Sequence, residues 1–211
     1  MERFNKDNFY TLCNELAQRD GDLEVIIKEH GYPPLWTRPN TFATLVLTIL
    51  EQQVSLQSAF AAFTKLSQKL NIITPEGVLQ LTDDELRACY FSRQKIVYVK
   101  GLATEISKKQ IDLDAFYHLP DDEVRKKLVS LKGIGNWTVD IYLMHALQRT
   151  DVYPTGDLAL VKALREIKRL PLTTTKEEMA AIGVKWKPYR SIATMILWHY
   201  YLSKRGIKLV H

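Results

Sequence analysis

Apolar residues recur at three- and four-residue steps over almost the whole chain: Phe9, Leu12 and Leu16; Phe60, Phe63, Leu66 and Leu70; Ile96, Val99, Ala103 and Ile106; Val161 and Leu164. Such spacing lines one side of a helix, so each run predicts a helix whose core face these residues form. The pattern breaks at Gly31-Tyr32-Pro33-Pro34, Thr74-Pro75, Pro120-Asp121, Gly133 to Gly135, Pro154-Thr155-Gly156, Pro171 and Lys187-Pro188, the residue types that end helices. Thr82 and Glu85 have capping-box spacing, and Ser55 and Ser92 stand where N-caps are expected. No segment alternates apolar and polar residues as a half-buried strand would. The expectation is an all-α protein of roughly ten short helices. With no internal repeat and no linker, residues 1–211 read as a single domain, and any second lobe must share its core.

Composition narrows the class. With 211 residues, 46% of them hydrophobic and 25% charged, the chain can bury a real core and is neither disordered nor collagen-like. The two cysteines, Cys13 and Cys89, are isolated, which excludes a disulfide framework, a paired-cysteine zinc motif and a four-cysteine iron–sulfur cluster, and suits a reducing compartment. The charged N-terminus has no apolar run behind it, and the apolar stretch from Thr41 to Leu50 stops at Glu51-Gln52-Gln53, so neither a secretory signal nor a membrane span is expected. A formal charge of +5 favours polyanionic partners.

One segment carries candidate chemistry. Asp121 to Leu131 reads as a helix with Val124, Leu128 and Leu131 on one side, Lys132-Gly133-Ile134-Gly135 must turn, and Asn136 to Leu147 reads as a second helix. This is a helix–hairpin–helix over 121–147. Gly133 and Gly135 permit backbone conformations closed to residues with a β-carbon and let a phosphate approach main-chain N–H groups. The second helix would present its N-terminal dipole to that phosphate, while Ile134 plugs the turn into the core. A glycine pair between helices is, on its own, more often the mark of a plain tight turn. Further on, Asp151-Val152-Tyr153-Pro154-Thr155-Gly156-Asp157 leads into another helix, with Asp157 placed to act as an N-cap.

The hairpin, Trp137-Thr138 after it and Asp157 twenty positions beyond Trp137 together resemble the helix–hairpin–helix DNA glycosylase superfamily. Within it the chain is similar to the alkylpurine branch, the 3-methyladenine DNA glycosylases. Ile49-Leu50-Glu51-Gln52-Gln53-Val54-Ser55 resembles their glutamine-containing stretch, Ser92-Arg93-Gln94-Lys95 the turn before a later helix, and Trp186-Lys187-Pro188-Tyr189-Arg190-Ser191 with Trp198 their C-terminal block. The likeness runs from about Phe42 to Tyr200. The first forty or so residues are too few for the N-terminal β-lobe of the long bacterial members, so a short form is expected: two helical lobes with a DNA-binding cleft between them.

The resemblance implies a role for each matching position. Asp157 becomes the carboxylate that stabilises an oxocarbenium-like sugar or orients water. Trp137 and Trp198 match pocket tryptophans that stack on a flipped, often cationic base, with Tyr153 and Tyr189, and less so Tyr142, as further pocket candidates; each is otherwise an ordinary core aromatic. Bifunctional relatives carry an imine-forming lysine where this chain has Trp137, so a monofunctional enzyme leaving an abasic site is expected. Gln53 matches the wedge that fills the gap left by the flipped nucleotide, with Gln52 and Val54 beside it; the two glutamines could instead cap a buried helix. Phosphate contacts are expected from the N–H groups of Gly133, Gly135 and Trp137, with Lys132 and the Thr138 hydroxyl. No cofactor is required, and no iron–sulfur cluster is expected. Family members hold a monovalent cation, Na+ or K+, at the hairpin through carbonyls that correspond to Val129, Leu131 and Gly133.

The resemblance thus implies double-stranded DNA with damaged bases as the partner, met by a monomer in the cytoplasm (nucleoid) or a nucleus, with no membrane involved. Lys108, Lys109, Lys126 and Lys127 could widen the basic footprint or simply be solvated. His145 and His199 lack metal-ligand spacing, Cys13 and Cys89 suit buried thiols, and Arg190 could contact DNA or pair with a buried acid, the structural role being the one expected. Two other readings stay open: a hairpin protein that binds DNA without chemistry, and a glycosylase with another lesion preference.

Overall fold

The computed structural model describes residues 2–207, and among these it contains twelve α-helices, one 3-10 turn and no strand beyond an isolated bridge between Arg3 and Arg149. The all-α expectation holds; the excess over ten comes from two six-residue helices, Pro75–Gln80 and Asp83–Ala88, too short to show a periodicity of their own. The chain divides into two compact units, one made of residues 38–147 and the other of residues 1–37 and 148–211.

The 38–147 unit contains α3 (Phe42–Leu50), α4 (Leu56–Leu70), α5 (Pro75–Gln80), α6 (Asp83–Ala88), α7 (Arg93–Ser107), the 3-10 turn Ala115–Tyr117, α8 (Asp121–Val129) and α9 (Asn136–His145). α3 is apolar on nearly every side because α4, α7 and α9 all pack on it, and its two threonines are internally satisfied: the Thr44 hydroxyl donates to the Pro39 carbonyl and the Thr48 hydroxyl to the Thr44 carbonyl. Local sequence signals fix the helix starts. The Ser55, Thr74 and Ser92 hydroxyls accept from the N–H groups of Ser58, Gly77 and Lys95, and Thr82 with Glu85 closes a full capping box. On α4 the inward stripe is Ala59, Ala62 and Leu66; Phe60, expected in the core, lies substantially exposed, with its ring near that of Phe63.

The second unit holds α1 (Phe9–Arg19), α2 (Gly21–His30), α10 (Leu158–Ile167), α11 (Lys176–Val184) and α12 (Arg190–Lys204), with α12 as the central helix against α1, α2 and α10. Its ends are tied through Asp20. That carboxylate caps α2 at Asp22, takes the Lys168 ammonium at 2.6 and 2.7 Å and accepts the Trp186 indole N–H at 2.8 Å. Burial works against its charge, but the Lys168 and Trp186 hydrogen bonds outweigh it and hold the carboxyl below the usual range. Arg190 pairs with Asp151 at 2.6 Å, the structural partnership expected of it, and both cysteines are buried.

Candidate functional site

The hairpin forms as expected, and its geometry shows what holds it. Val124 and Leu128 of α8 and Ile134 of the turn are buried. Arg125 on α8 reaches across to α9, donating to Asp140 at 2.5 Å and to the Asn136 side chain at 3.2 Å, so the two helices are locked by an ion pair close to the turn. Gly133 has φ +86°, and a β-carbon there would lie 2.1 Å from the Tyr98 ring of α7. Its glycine is demanded by packing from behind. Gly135 differs: with φ −98° it is the N-cap of α9, and a β-carbon there would meet nothing within 4 Å. The open space on Gly135 is where an anion could approach the first N–H groups of α9 and its positive dipole end.

Lys132 and Gly135 are exposed, Trp137 is half-buried, and Thr138 is buried with its hydroxyl accepting the Gln52 amide at 2.8 Å. The Thr138 hydroxyl is therefore turned inward, which corrects its expected contact with phosphate. Gln52 also donates to the Gly133 carbonyl at 2.9 Å, and it too faces the protein. Gln53, next along, is exposed and sits in the left-handed region at φ +57°. Of the three carbonyls matched to a cation, Leu131 accepts the Ile134 N–H at 3.1 Å and Gly133 accepts Gln52; each keeps a second lone pair, so both could still share an oxygen with a monovalent ion. Among the described residues no group of three or more His, Cys, Asp or Glu could hold a metal.

In the other unit Asp157 is the N-cap of α10, its Oδ1 accepting the Leu160 N–H at 2.8 Å and the Trp198 indole N–H at 2.8 Å. The capping role expected from its position is real, and it coexists with a second contact that capping does not need. Trp198, on α12, is half-buried, and its ring lies 6.4 Å from that of Trp36, tilted by 58°. Trp36 was not among the expected residues; it falls in the proline-rich break, where no periodicity marks it. Two indoles and a carboxylate at a helix N-terminus form an electron-rich cluster able to attract a cationic, planar group.

The tyrosines are placed differently. Tyr153 sets its ring over Gly183, where a β-carbon would come within 2.7 Å, stands edge-on to Trp186 at 5.9 Å and has its hydroxyl 3.4 Å from the Met179 carbonyl; burial raises its pKa. It is committed to α11. Tyr189 lies under the Arg19 guanidinium at 5.3 Å, and Tyr142 is in the core of its unit with its hydroxyl donating to Asn40. His145 is half-buried, and desolvation of its ring first, with the Arg38 charge second, lowers its pKa to about 3. His199 bonds the His30 carbonyl at 2.9 Å. No helix among the described residues is long and apolar enough to cross a membrane.

The profile of the family described as HhH-GPD superfamily base excision DNA repair protein covers residues 46–188, more than half of the chain. The provisionally named DNA-3-methyladenine glycosylase YfjP of Bacillus subtilis is 29% identical over 83% of this chain, which spans 64% of that protein's length. DNA-3-methyladenine glycosylase 1 of Schizosaccharomyces pombe is 31% identical over 74% of this chain and 71% of its own. The solved structure of the fission yeast 3-methyladenine DNA glycosylase Mag1 in complex with abasic DNA superimposes with a TM-score of 0.84 at 28% identity, covering 95% of this chain and 100% of that one.

Proposed function

The chain belongs to the HhH-GPD superfamily of base-excision DNA repair proteins, and from that premise we propose that it is a monofunctional DNA glycosylase that hydrolyses the N-glycosidic bond of alkylated purines and leaves an abasic site. The observation that carries the reading is the Asp157 carboxylate, fixed at the head of α10 by the Leu160 N–H and the Trp198 indole.

Methylation at N3 or N7 makes the purine ring cationic and weakens its bond to the sugar. As that bond breaks, positive charge passes to the deoxyribose, and a preorganised carboxylate stabilises it without having to reorganise. Asp157 supplies that charge. The indole of Trp198, backed by Trp36, faces the cationic base; contacts of this kind are worth about 0.5–2 kcal/mol each. A base inside a duplex must first be flipped out, and exposed Gln53 is assigned to the gap it leaves. The N–H groups at the start of α9 hold a phosphate, with Lys132 adding charge. A monovalent cation on the Val129, Leu131 and Gly133 carbonyls would supply positive charge between turn and phosphate when bound. Trp137 offers no amine, so no imine forms with the abasic sugar and the strand stays intact. A repair enzyme of this kind works on genomic DNA, in a bacterial nucleoid or a nucleus, and as a monomer.

Incubating the purified protein with duplex DNA carrying 7-methylguanine or 3-methyladenine tests the proposal. Free base should appear, and borohydride should trap no protein–DNA adduct. A trapped adduct would indicate a lyase, and binding without released base would leave only a DNA-binding protein.

A further inference from the structure

Gln52 occupies the turn between α3 and α4, immediately before the exposed Gln53. A carboxamide nitrogen has two N–H groups, and the Gln52 nitrogen reaches two acceptors: the Gly133 carbonyl at 2.9 Å, within the hairpin turn, and the Thr138 hydroxyl at 2.8 Å, in the first turn of α9. The two acceptors bracket the segment 133–138, so one side chain, more than eighty residues earlier in sequence, pins both ends of the turn. The flanking residues are fixed as firmly. Glu51 receives a two-point ion pair from Arg38 at 2.6 and 2.9 Å, and the Lys95 ammonium donates to the Leu50 carbonyl at 2.6 Å. Between these anchors and α4, Gln53 holds a left-handed backbone at φ +57°, which is strained for a residue with a β-carbon and persists only where its neighbours impose it.

We infer that Gln52 is a positioning residue for base flipping: its carboxamide joins the wedge loop to the phosphate-binding turn, so that gripping the backbone and aiming Gln53 are one rigid operation. The inference rests on the glycosylase reading above and deepens it. A glutamine that contacted DNA would keep its carboxamide outward; this one has committed its donors to the protein.

The test uses the full-length protein and four variants: Gln52→Ala, Gln53→Ala, the double variant and Gln52→Glu. Binding to abasic duplex, fluorescence of a 2-aminopurine placed next to the lesion, single-turnover base release and thermal midpoints are measured for each. Gln52→Ala should lower flipping and release about 10- to 100-fold, the scale set by a displacement on the order of 1 Å at a reacting site, and should lower abasic-site affinity by less than it lowers flipping. Acting through Gln53, it should add nothing to Gln53→Ala, so the double variant should match the worse single one. Gln52→Glu has no N–H and sets a carboxylate against the Gly133 carbonyl; its flipping should recover on acidification, as the protonated acid regains one donor, with no such rise in the wild type. Multiplying losses in the double variant, or a Gln52→Ala protein that flips and releases at the wild-type rate, would overturn the inference. Fluorescence reports unstacking without bond cleavage. A wild type that unstacks the probe yet releases no base would therefore overturn the glycosylase reading alone, with the coupling still decided by the fluorescence cycle.

Discussion

Replacing Gly133 and Gly135 separately with alanine distinguishes a glycine required by the fold from one required by a ligand. At Gly133 the added methyl lies 2.1 Å from Cγ of Tyr98 and the residue keeps φ +86°. The left-handed backbone costs about 1–2 kcal/mol without glycine, and forcing a methyl into an occupied space costs about 1–3 kcal/mol more. The sum, about 2–5 kcal/mol, corresponds in a protein of this size to a fall in Tm on the order of 5–15 °C. At Gly135 the methyl enters open space at φ −98°, and the folded state loses at most the modest N-cap advantage of glycine over alanine. Its methyl instead stands where a phosphate would reach the N–H groups of α9. Gly135→Ala should therefore melt close to the wild type and bind DNA more weakly, whereas Gly133→Ala should melt early. Tyr98→Ala in the Gly133→Ala background should restore part of the loss by removing the clash while leaving the backbone strain. Thermal and urea denaturation with a DNA-binding titration give all three values. A Gly133→Ala protein with wild-type stability, or a Gly135→Ala protein that loses stability and keeps its affinity, would refute the reasoning.

Other expectations follow from the same geometry. Trp198→Phe removes the indole N–H from Asp157 while keeping an aromatic ring; base release should fall, and stability should drop by about 1.5–3 kcal/mol, the scale of a hydrogen bond to a charged group, which denaturant titration checks. His145 stays neutral in the folded protein down to about pH 3, whereas the unfolded chain takes up its proton near pH 6.5. Its contribution is thus complete above pH 6.5 and is lost toward pH 3 at up to about 1.4 kcal/mol per pH unit, a slope that His145→Gln should flatten in unfolding measurements. DNA affinity should fall linearly on a log–log plot against salt concentration, and a flat dependence would exclude phosphate neutralisation by the hairpin and its lysines.

What the sequence made legible was local. The Thr82–Glu85 capping box, the Ser55 and Ser92 caps and the two helices of the hairpin depend on residues three or four positions apart, and all are present. Asp157 was legible as a cap from its place after Gly156, whereas its second partner, the Trp198 indole forty-one positions later, was not. What escaped depends on contacts distant in sequence. Gly133 was explained by the approach of a phosphate, yet its glycine is required by Tyr98, thirty-five positions earlier. Gln52 and the Thr138 hydroxyl were both assigned to DNA on the strength of the resemblance; they face one another instead. Tyr153 resembled a pocket aromatic, but its place was set by the absent side chain of Gly183. Phe60 carried the helical period of a core residue, while small Ala59 and Ala62 took the inward stripe where α4 approaches α3.

Asp157→Asn tests the central claim most directly. Asparagine is as good an N-cap as aspartate and keeps an oxygen for the Leu160 N–H and the Trp198 indole, so the variant removes the charge and leaves the architecture. Release of 7-methylguanine from duplex DNA should cease while abasic DNA is still bound within a few fold of the wild type. Sustained release by a folded Asp157→Asn protein would contradict the account.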